Sequence, residues 1–322
     1  MMIVRNEEAF PYQDEAAKLR NQLQALQDEA NLFNPPPSLD QINRLLSSAP
    51  VDLRRLGEAI RDHSGLVTEA LKLCNSTLFS LPQPVSSLEQ AVIITDADVV
   101  RTLLLACWII QCAGQKLLLR ENRLFWRHSL RVAQLSRRIS EWTALTTAEE
   151  AFLAGLFHDL GDLPFLAMLS KEGVNQEGAF EIAGESLESQ RRRFGVDHCE
   201  LGRRMGVAIG FPASLIEVFA AHHQRGAALF STPLVGIVCA AEMISQPSRS
   251  LENPERPSAP PAQLIKSALG EYLPGLNHSV TLRLVEALEA DLASAVAQAT
   301  ACPEDAWSDA WASPEPRTAA AK

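Results

Sequence analysis

The chain has 322 residues, 47% of them hydrophobic, which is enough to bury a sizeable core in one large domain or two smaller ones. Its formal net charge of −10 argues against non-specific binding to nucleic acid or to an anionic membrane, because both need a positively charged surface. The six cysteines lie far apart and form no C-x-x-C pair, which is typical of buried thiols in a reducing compartment. With no signal-peptide core and no apolar stretch long enough to cross a bilayer, the chain is expected to be cytoplasmic.

The first predicted element is a helix within residues 1–33. Two heptads are too few for a coiled coil, so we expect this helix to pack on its own domain. A role as a partner or dimer helix stays open as the alternative. The apolar residues at 4-3-4-3 spacing that define its buried face are Leu19, Leu23, Leu26, Ala30 and Phe33.

Helix-start patterns recur in the segment that follows. "SLDQ" (Ser38 to Gln41) and "DHCE" (Asp197 to Glu200) have the form of capping boxes. No period-two strand pattern and no Asn-Gly hairpin appears, so we predict an all-α chain. The predicted parts are a main domain over 34–245, a Pro- and Ser-rich linker over 246–261, C-terminal helices over 262–300 and a disordered tail over 301–322.

A helix is predicted within "NRLFWRHSLRVAQLSRRIS", with His128 inside its apolar stripe. A histidine in such a stripe is more often a satisfied buried imidazole than a ligand, so His128 alone decides nothing. Arg127 and Arg131 belong to a row of arginines on a neighbouring face. That row is most simply a solvated face, and contact with a phosphate or an acidic partner is the alternative.

The segment "EEAFLAGLFHDLGD" predicts a central helix, because residues 151–157 are apolar on every side. His158 and Asp159 fall in its last turn, and Gly161 is placed to end it in a left-handed cap. An unpaired buried carboxylate is costly, so Asp159 needs a metal, another cation or several hydrogen-bond donors.

More polar residues stand at the edges of later apolar helices. His198 opens one helix, and His222 and His223 close the next, where at least one of them should point inward. Glu242 lies inside the apolar "LVGIVCAAEMIS", where an isolated carboxylate again requires a partner. Imidazoles and carboxylates are the ligands of Zn, Mn, Fe and Mg sites.

The order of His128, the pair His158-Asp159 and a late acid resembles the H…HD…D signature of the HD superfamily of metal-dependent phosphohydrolases. The wider text is similar to its HDOD branch, the HD-related output domain of bacterial signalling, most specifically in "CNSTLFSLPQPVSSLEQA". The resemblance covers about residues 34–245. It implies an HD-superfamily-like helical bundle with extra N- and C-terminal helices, in a bacterial signalling protein.

The resemblance also implies a divalent metal, one of Fe, Mn, Zn or Mg. Two departures bear on activity: Glu242 stands where the family has Asp, and Asp162 replaces the lysine of the active HD-G-K motif. A carboxylate repels a phosphate ester where a lysine would stabilise its transition state. The implied ligands are His128, His158, Asp159 and Glu242, with His198, His222 and His223 at positions that hold a second metal in some relatives.

Three functions follow as hypotheses. The favoured one is a non-catalytic signalling module that binds a protein partner, or itself, through its helical faces. The alternative is a metal-dependent phosphohydrolase of a phosphomonoester, phosphodiester or nucleotide, in which Asp159 is catalytic and Arg127 or Arg131 replaces the lost lysine. The third is a nucleotide or cyclic-dinucleotide receptor that kept the pocket and lost turnover.

Overall fold

The computed structural model describes residues 11–76, 83–115, 123–225, 232–245 and 261–298. The all-α prediction is confirmed, since the described ranges contain helices and turns without a strand. A short 3₁₀ turn, Ile60–His63, joins the third and fourth helices. The helices are α1 (Pro11–Asn31), α2 (Pro37–Leu46), α3 (Leu53–Ala59), α4 (Ser64–Cys74), α5 (Leu88–Ile94), α6 (Ala97–Gln115), α7 (Arg123–Thr143), α8 (Ala148–Phe157), α9 (Asp162–Lys171), α10 (Gln176–Ala183), α11 (Leu187–Phe194), α12 (His198–Ile209), α13 (Ala213–Ala221), α14 (Pro233–Ser245), α15 (Pro261–Tyr272) and α16 (His278–Gln298).

The starts of α12 and α2 differ in whether a side chain caps them as predicted. Asp197 caps α12 as expected, because its carboxylate accepts a hydrogen bond from the Glu200 backbone N–H at 2.8 Å. The capping box at Ser38 is wrong: α2 begins at Pro37, two residues before the start that a cap at Ser38 predicts, and has no side-chain cap. Proline at the first helical position is already set in a helical conformation and has no N–H to satisfy, so it starts the helix without help from Ser38.

The centre of the molecule is α8, whose side chains from Ala151 to Phe157 are all buried, as its all-apolar pattern predicts. Helix α7 packs along α8, and α14 packs across both. Within the described ranges, Ala148–Lys171 is the one segment long and apolar enough to cross a membrane by length and composition. Its most apolar window is entirely buried in the protein, so it forms the core of the bundle.

Helix α1 packs on the main domain against α9 and α11. Leu26, Ala30 and Phe33 are buried and Leu23 is half-buried, as their spacing predicts, while the side chain of Leu19 lies outside the described residues. The Trp108 indole N–H donates a hydrogen bond to the Phe33 carbonyl at 2.9 Å. Helix α1 thus packs on its own domain, as expected. A partner role of α1 and the domain boundaries stay predictions. The linker up to residue 260 and the tail over 301–322 lie outside the described residues.

Two glycines set how closely the central elements approach. A Cβ on Gly155 would lie 2.8 Å from the Ala133 Cα, so the absence of a side chain lets α8 press against α7. The left-handed cap predicted at Gly161 is wrong, because its φ is −69°. The reason for a glycine there is contact: a Cβ would lie 1.9 Å from the His198 carbonyl oxygen. The turn after α8 therefore touches the first turn of α12 directly.

Candidate metal centre

Six of the seven predicted ligands meet in one buried site, called the central pocket below. They come from α7, the turn between α8 and α9, the first residue of α12, the residue after α13 and the interior of α14. Each is at most 7% exposed, although together they span more than a hundred residues of sequence. The residues of the central pocket are His128, His158, Asp159, His198, His222 and Glu242.

His223 lies at the edge of this pocket and is exposed. Its ring centroid is 4.4 Å from that of His222 and 4.9 Å from that of His198. The sequence required at least one of the paired histidines to point inward, and the structure places His222 inside.

One half of the pocket is rich in oxygen. Glu242 Oε2 lies 3.0 Å from His128 Nε2 and 3.3 Å from His158 Nε2. Asp159 Oδ2 lies 3.5 Å and 3.1 Å from the same two nitrogens. The two imidazoles and two carboxylates thus surround one point, the first position.

The other half faces the second oxygen of Asp159. Oδ1 lies 3.1 Å from His222 Nε2 and 3.7 Å from His198 Nε2, and these two nitrogens are 3.3 Å apart. The space between them is the second position. Asp159 therefore has one carboxylate oxygen toward each position.

Backbone carbonyls fix the orientation of two imidazoles. His158 Nδ1 lies 2.8 Å from the Gly155 carbonyl oxygen, and His222 Nδ1 lies 3.0 Å from that of Val218. Since a carbonyl only accepts, Nδ1 carries the proton in both rings when they are neutral, and the Nε2 lone pairs face the pocket. Partners of this kind behind a histidine are usual at metal sites.

Gln190 holds the third imidazole, and sequence reasoning missed it. This glutamine is completely buried, and its amide N–H donates to the Ala183 carbonyl. Its oxygen then accepts from the His198 backbone N–H and lies 2.9 Å from His198 Nδ1. His198 Nε2 is thereby directed to the second position. Gln190 stands in the charged "ESLESQRRRF", which gives no signal of burial.

The donor set fits a divalent metal. His128 Nε2 and His158 Nε2 are buried and make no hydrogen bond within the described part of the chain, although carboxylate oxygens lie 3.0 to 3.5 Å away. Two imidazole nitrogens that converge with two carboxylate oxygens match the ligands of Zn, Mn or Fe. The residues His128, His158 and Asp159 also form a group with donor atoms close enough to hold one ion.

The carboxylates of Asp159 and Glu242 favour positive charge in the central pocket. Burial opposes ionisation of His158, yet the carboxylates of Asp159 and Glu242 raise its pKa to about 10. Burial likewise opposes ionisation of Asp159 and Glu242, but the neighbouring imidazoles hold both pKa values well below the ordinary range. A proton on His158 therefore supplies the positive charge that a metal cation would supply in this pocket.

Five of the six residues of the central pocket lie within a domain that other proteins share. The family model of the HDOD domain matches residues 32–225. The chain belongs to the HDOD family. Glu242 stands beyond the matched residues, so its place in the pocket is known from the structure alone.

Solved structures share the HDOD helical fold at low identity. An HDOD domain protein of unknown function from Geobacter sulfurreducens is 20% identical, with a TM-score of 0.55, covering 87% of this chain and 97% of its own. A presumptive phosphohydrolase from Shewanella amazonensis SB2B is 18% identical, with a TM-score of 0.54 and coverages of 81% and 93%. A presumptive signal transduction protein from Marinobacter aquaeolei VT8 is 17% identical, with a TM-score of 0.53 and coverages of 88% and 65%. No curated protein matches.

The residue that departs from the active HD motif, Asp162, is the first residue of α9 and is 3% exposed. Its Oδ1 lies 3.7 Å from His198 Nδ1, so it adds negative charge behind the second position. Arg127 and Arg131, the predicted substitutes for the lysine, form no ion pair with any described residue. Burial and the charge of Arg127 lower the pKa of Arg131, and no carboxylate of the central pocket raises that pKa.

Proposed function

We propose that this HDOD protein is a non-catalytic signal-transduction module that binds a protein partner, or a second copy of itself, through its helical faces. Its central pocket holds a divalent metal as a structural centre. The observation that carries this proposal is closure: the six pocket residues are at most 7% exposed. Structural metal sites are closed, whereas a hydrolytic site keeps a coordination position open to water and substrate.

Closure extends beyond the ligands. Phe180 of α10 lies beside His128, with ring centroids 6.5 Å apart. The buried carboxylate of Asp162 adds to the same conclusion, because a phosphate ester entering here would meet a third negative charge beside Asp159 and Glu242.

The first position would hold the metal through His128, His158, Asp159 and Glu242. A bound ion would supply beside these two carboxylates the positive charge that a proton on His158 otherwise supplies. The four ligands join α7, the turn after α8, and α14, and metal binding to ligands from separate elements contributes directly to folding free energy.

Metal analysis of protein purified without a His-tag tests the proposal. The native chain is expected to carry near-stoichiometric metal and to leave a generic phosphodiester and phosphomonoester intact. His158→Ala is expected to lose metal, and His278→Ala, which removes an exposed histidine, is expected to keep it. Absence of metal under metal-replete conditions would overturn the structural centre. Sedimentation velocity of the loaded chain separates self-association from binding to another protein.

A metal-dependent phosphohydrolase is the second candidate, favoured by the convergence of His128 Nε2, His158 Nε2 and two carboxylates on one point. A bound metal there would supply Lewis acidity toward a phosphoryl oxygen and a bound water. Hydrolysis that disappears in Asp159→Ala and persists in His278→Ala would establish this candidate and overturn the non-catalytic one. Saturable binding of a nucleotide without turnover would favour the receptor.

A further inference from the structure

The second position of the central pocket has a sulfur atom beside it. Cys199 follows His198 in the first turn of α12, is 5% exposed and places Sγ 3.5 Å from His198 Nε2. Donor atoms of Cys199 and of the three histidines at this end of the pocket all lie within 4.8 Å of one another. The spacing of the cysteines predicts no role for Cys199, because it belongs to no C-x-x-C pair.

The measured distances match a tetrahedral site. With bonds of about 2.0–2.1 Å to nitrogen and about 2.3 Å to sulfur, tetrahedral geometry separates two nitrogens by about 3.3 Å and a nitrogen from a sulfur by about 3.6 Å. His198 Nε2 and His222 Nε2 are 3.3 Å apart, and His198 Nε2 is 3.5 Å from Cys199 Sγ. Both distances from His198 Nε2 thus suit one shared ion, and the other donor atoms lie within 4.8 Å of one another.

We infer that Cys199 is the sulfur ligand of a zinc ion at the second position, where His198, His222 and His223 supply the nitrogens. The inference rests on the proposed metal pocket, and it holds whether or not the protein hydrolyses anything. On binding, the Cys199 S–H bond breaks, a zinc–sulfur bond forms, and the proton leaves to solvent.

The sulfur makes the two positions chemically different. The first position offers two carboxylates and two imidazoles, a set that suits Mn²⁺ or Fe²⁺ as well as Zn²⁺. A thiolate is a soft ligand and favours Zn²⁺ over Mn²⁺ and Mg²⁺. Gln190 and the Val218 carbonyl hold His198 and His222 from behind, as the outer partners of zinc-bound histidines do.

His223 gives the second position an edge open to solvent. It is the exposed member of the four donors, while His198, Cys199 and His222 are buried. This exposed ring leaves the closure of the six central-pocket residues unchanged. A preformed group of donors with an entry path is what a metal site requires.

The test loads metal-free chain with Co²⁺, which gives a sulfur-to-cobalt charge-transfer band only when a thiolate is bound. The native chain and Cys74→Ala, which removes a different buried cysteine, are expected to show the band. Cys199→Ser is expected to lose it, to weaken zinc binding by more than about a hundredfold, and to keep the metal at the first position. His158→Ala is expected to keep the band, because His158 belongs to the first position.

X-ray absorption of the zinc-loaded native chain provides a reading that needs no variant, with one sulfur expected at about 2.3 Å from zinc. A zinc shell without sulfur, or a cobalt band unchanged in Cys199→Ser, would overturn the inference. A chain that holds one metal, loses it in His158→Ala and shows no sulfur contact would overturn the inference while the proposed structural centre stands. A sulfur contact in a chain whose first position is empty would support the inference and overturn the proposed structural centre.

Discussion

Within the described part of the chain, the central pocket and a second region both gather acidic side chains, but their donor atoms are arranged differently. The second region, called the acidic cavity here, has a volume of about 340 Å³ and lies where α2 ends and α6, α8 and α13 begin. Asp96, Asp98 and Glu150 line it, so by composition it looks as suitable for a cation as the central pocket.

The contacts separate the two regions. Asp96 accepts a hydrogen bond from the Val99 N–H at 2.7 Å, and Asp98 pairs with Arg101 at 2.9 Å. Glu150 accepts from the Ser214 hydroxyl at 2.9 Å. These three carboxylates thus have partners within the fold. In the central pocket, by contrast, His128 Nε2 and His158 Nε2 make no hydrogen bond with the described residues and face one shared point. The geometry of the donors, more than the number of acids, distinguishes the site.

The largest expected effect is the pH dependence of the metal-free protein. The folded pKa of His158, about 10, lies above its ordinary value of 6.5, so its stabilisation is present below pH 6.5 and is lost as the pH rises toward 10. We expect a decrease on the order of 4 kcal/mol in the free energy of unfolding over that range. Urea unfolding at several pH values measures it.

Saturating metal is expected to flatten this dependence, because the cation replaces the proton. His158→Gln should flatten it too, at lower overall stability. An equally steep loss of stability in His158→Gln would assign the effect to another group.

Gly161→Ala follows in size. Its Cβ would lie 1.9 Å from the His198 carbonyl oxygen, so the turn that carries Asp159 would be forced away from α12. We expect a loss of about 3 kcal/mol in urea unfolding, together with weaker metal binding at the second position. Gly65→Ala is the control, since a Cβ there meets nothing within 4 Å. Equal effects of the two substitutions would remove the proposed role of the Gly161 contact.

Asp96→Ala sharpens the comparison from the side of the acidic cavity. Loss of its bond to the Val99 N–H at the start of α6 is expected to cost about 1 kcal/mol. Metal content by elemental analysis should not change. A drop in bound metal would show that the acidic cavity also holds cations.

Glu150→Gln should have the smallest effect, with the opposite sign. Burial raises the pKa of Glu150, and the charges of Asp96 and Asp98 add to the shift. A carboxyl whose folded pKa is raised lowers stability as the pH rises above its ordinary value. Glutamine keeps an oxygen for Ser214, so we expect a gain of less than about 1 kcal/mol at pH 7 and none at pH 4, measured by thermal unfolding.

Much of the fold follows from local pattern. The run over 151–157 predicts the central helix because it is apolar on every side, and the 4-3-4-3 spacing predicts the buried face of α1. The inward orientation of His128 follows from its apolar stripe in the same way. Each of these features depends on neighbours within two helical turns.

The finer parts of the site depend on contacts between distant segments. Gln190 and Cys199 matter because of where the rest of the fold places His198, and no spacing in the sequence shows that. The left-handed cap predicted at Gly161 is wrong for the same reason, since the close neighbour of Gly161 is a backbone carbonyl on another helix. The choice between His222 and His223 also needed the structure, because both lie next to one apolar face.

Asp159 has a further consequence, since it presents Oδ2 to the first position and Oδ1 to the second. An ion bound at Oδ2 would fix the plane of the carboxylate and reduce the negative charge that Oδ1 presents to an ion held by the four ligands of the second position. The affinities of the two positions would then be thermodynamically linked, each changing the other by the same factor. The metal content of each position would then depend on whether the other position is filled.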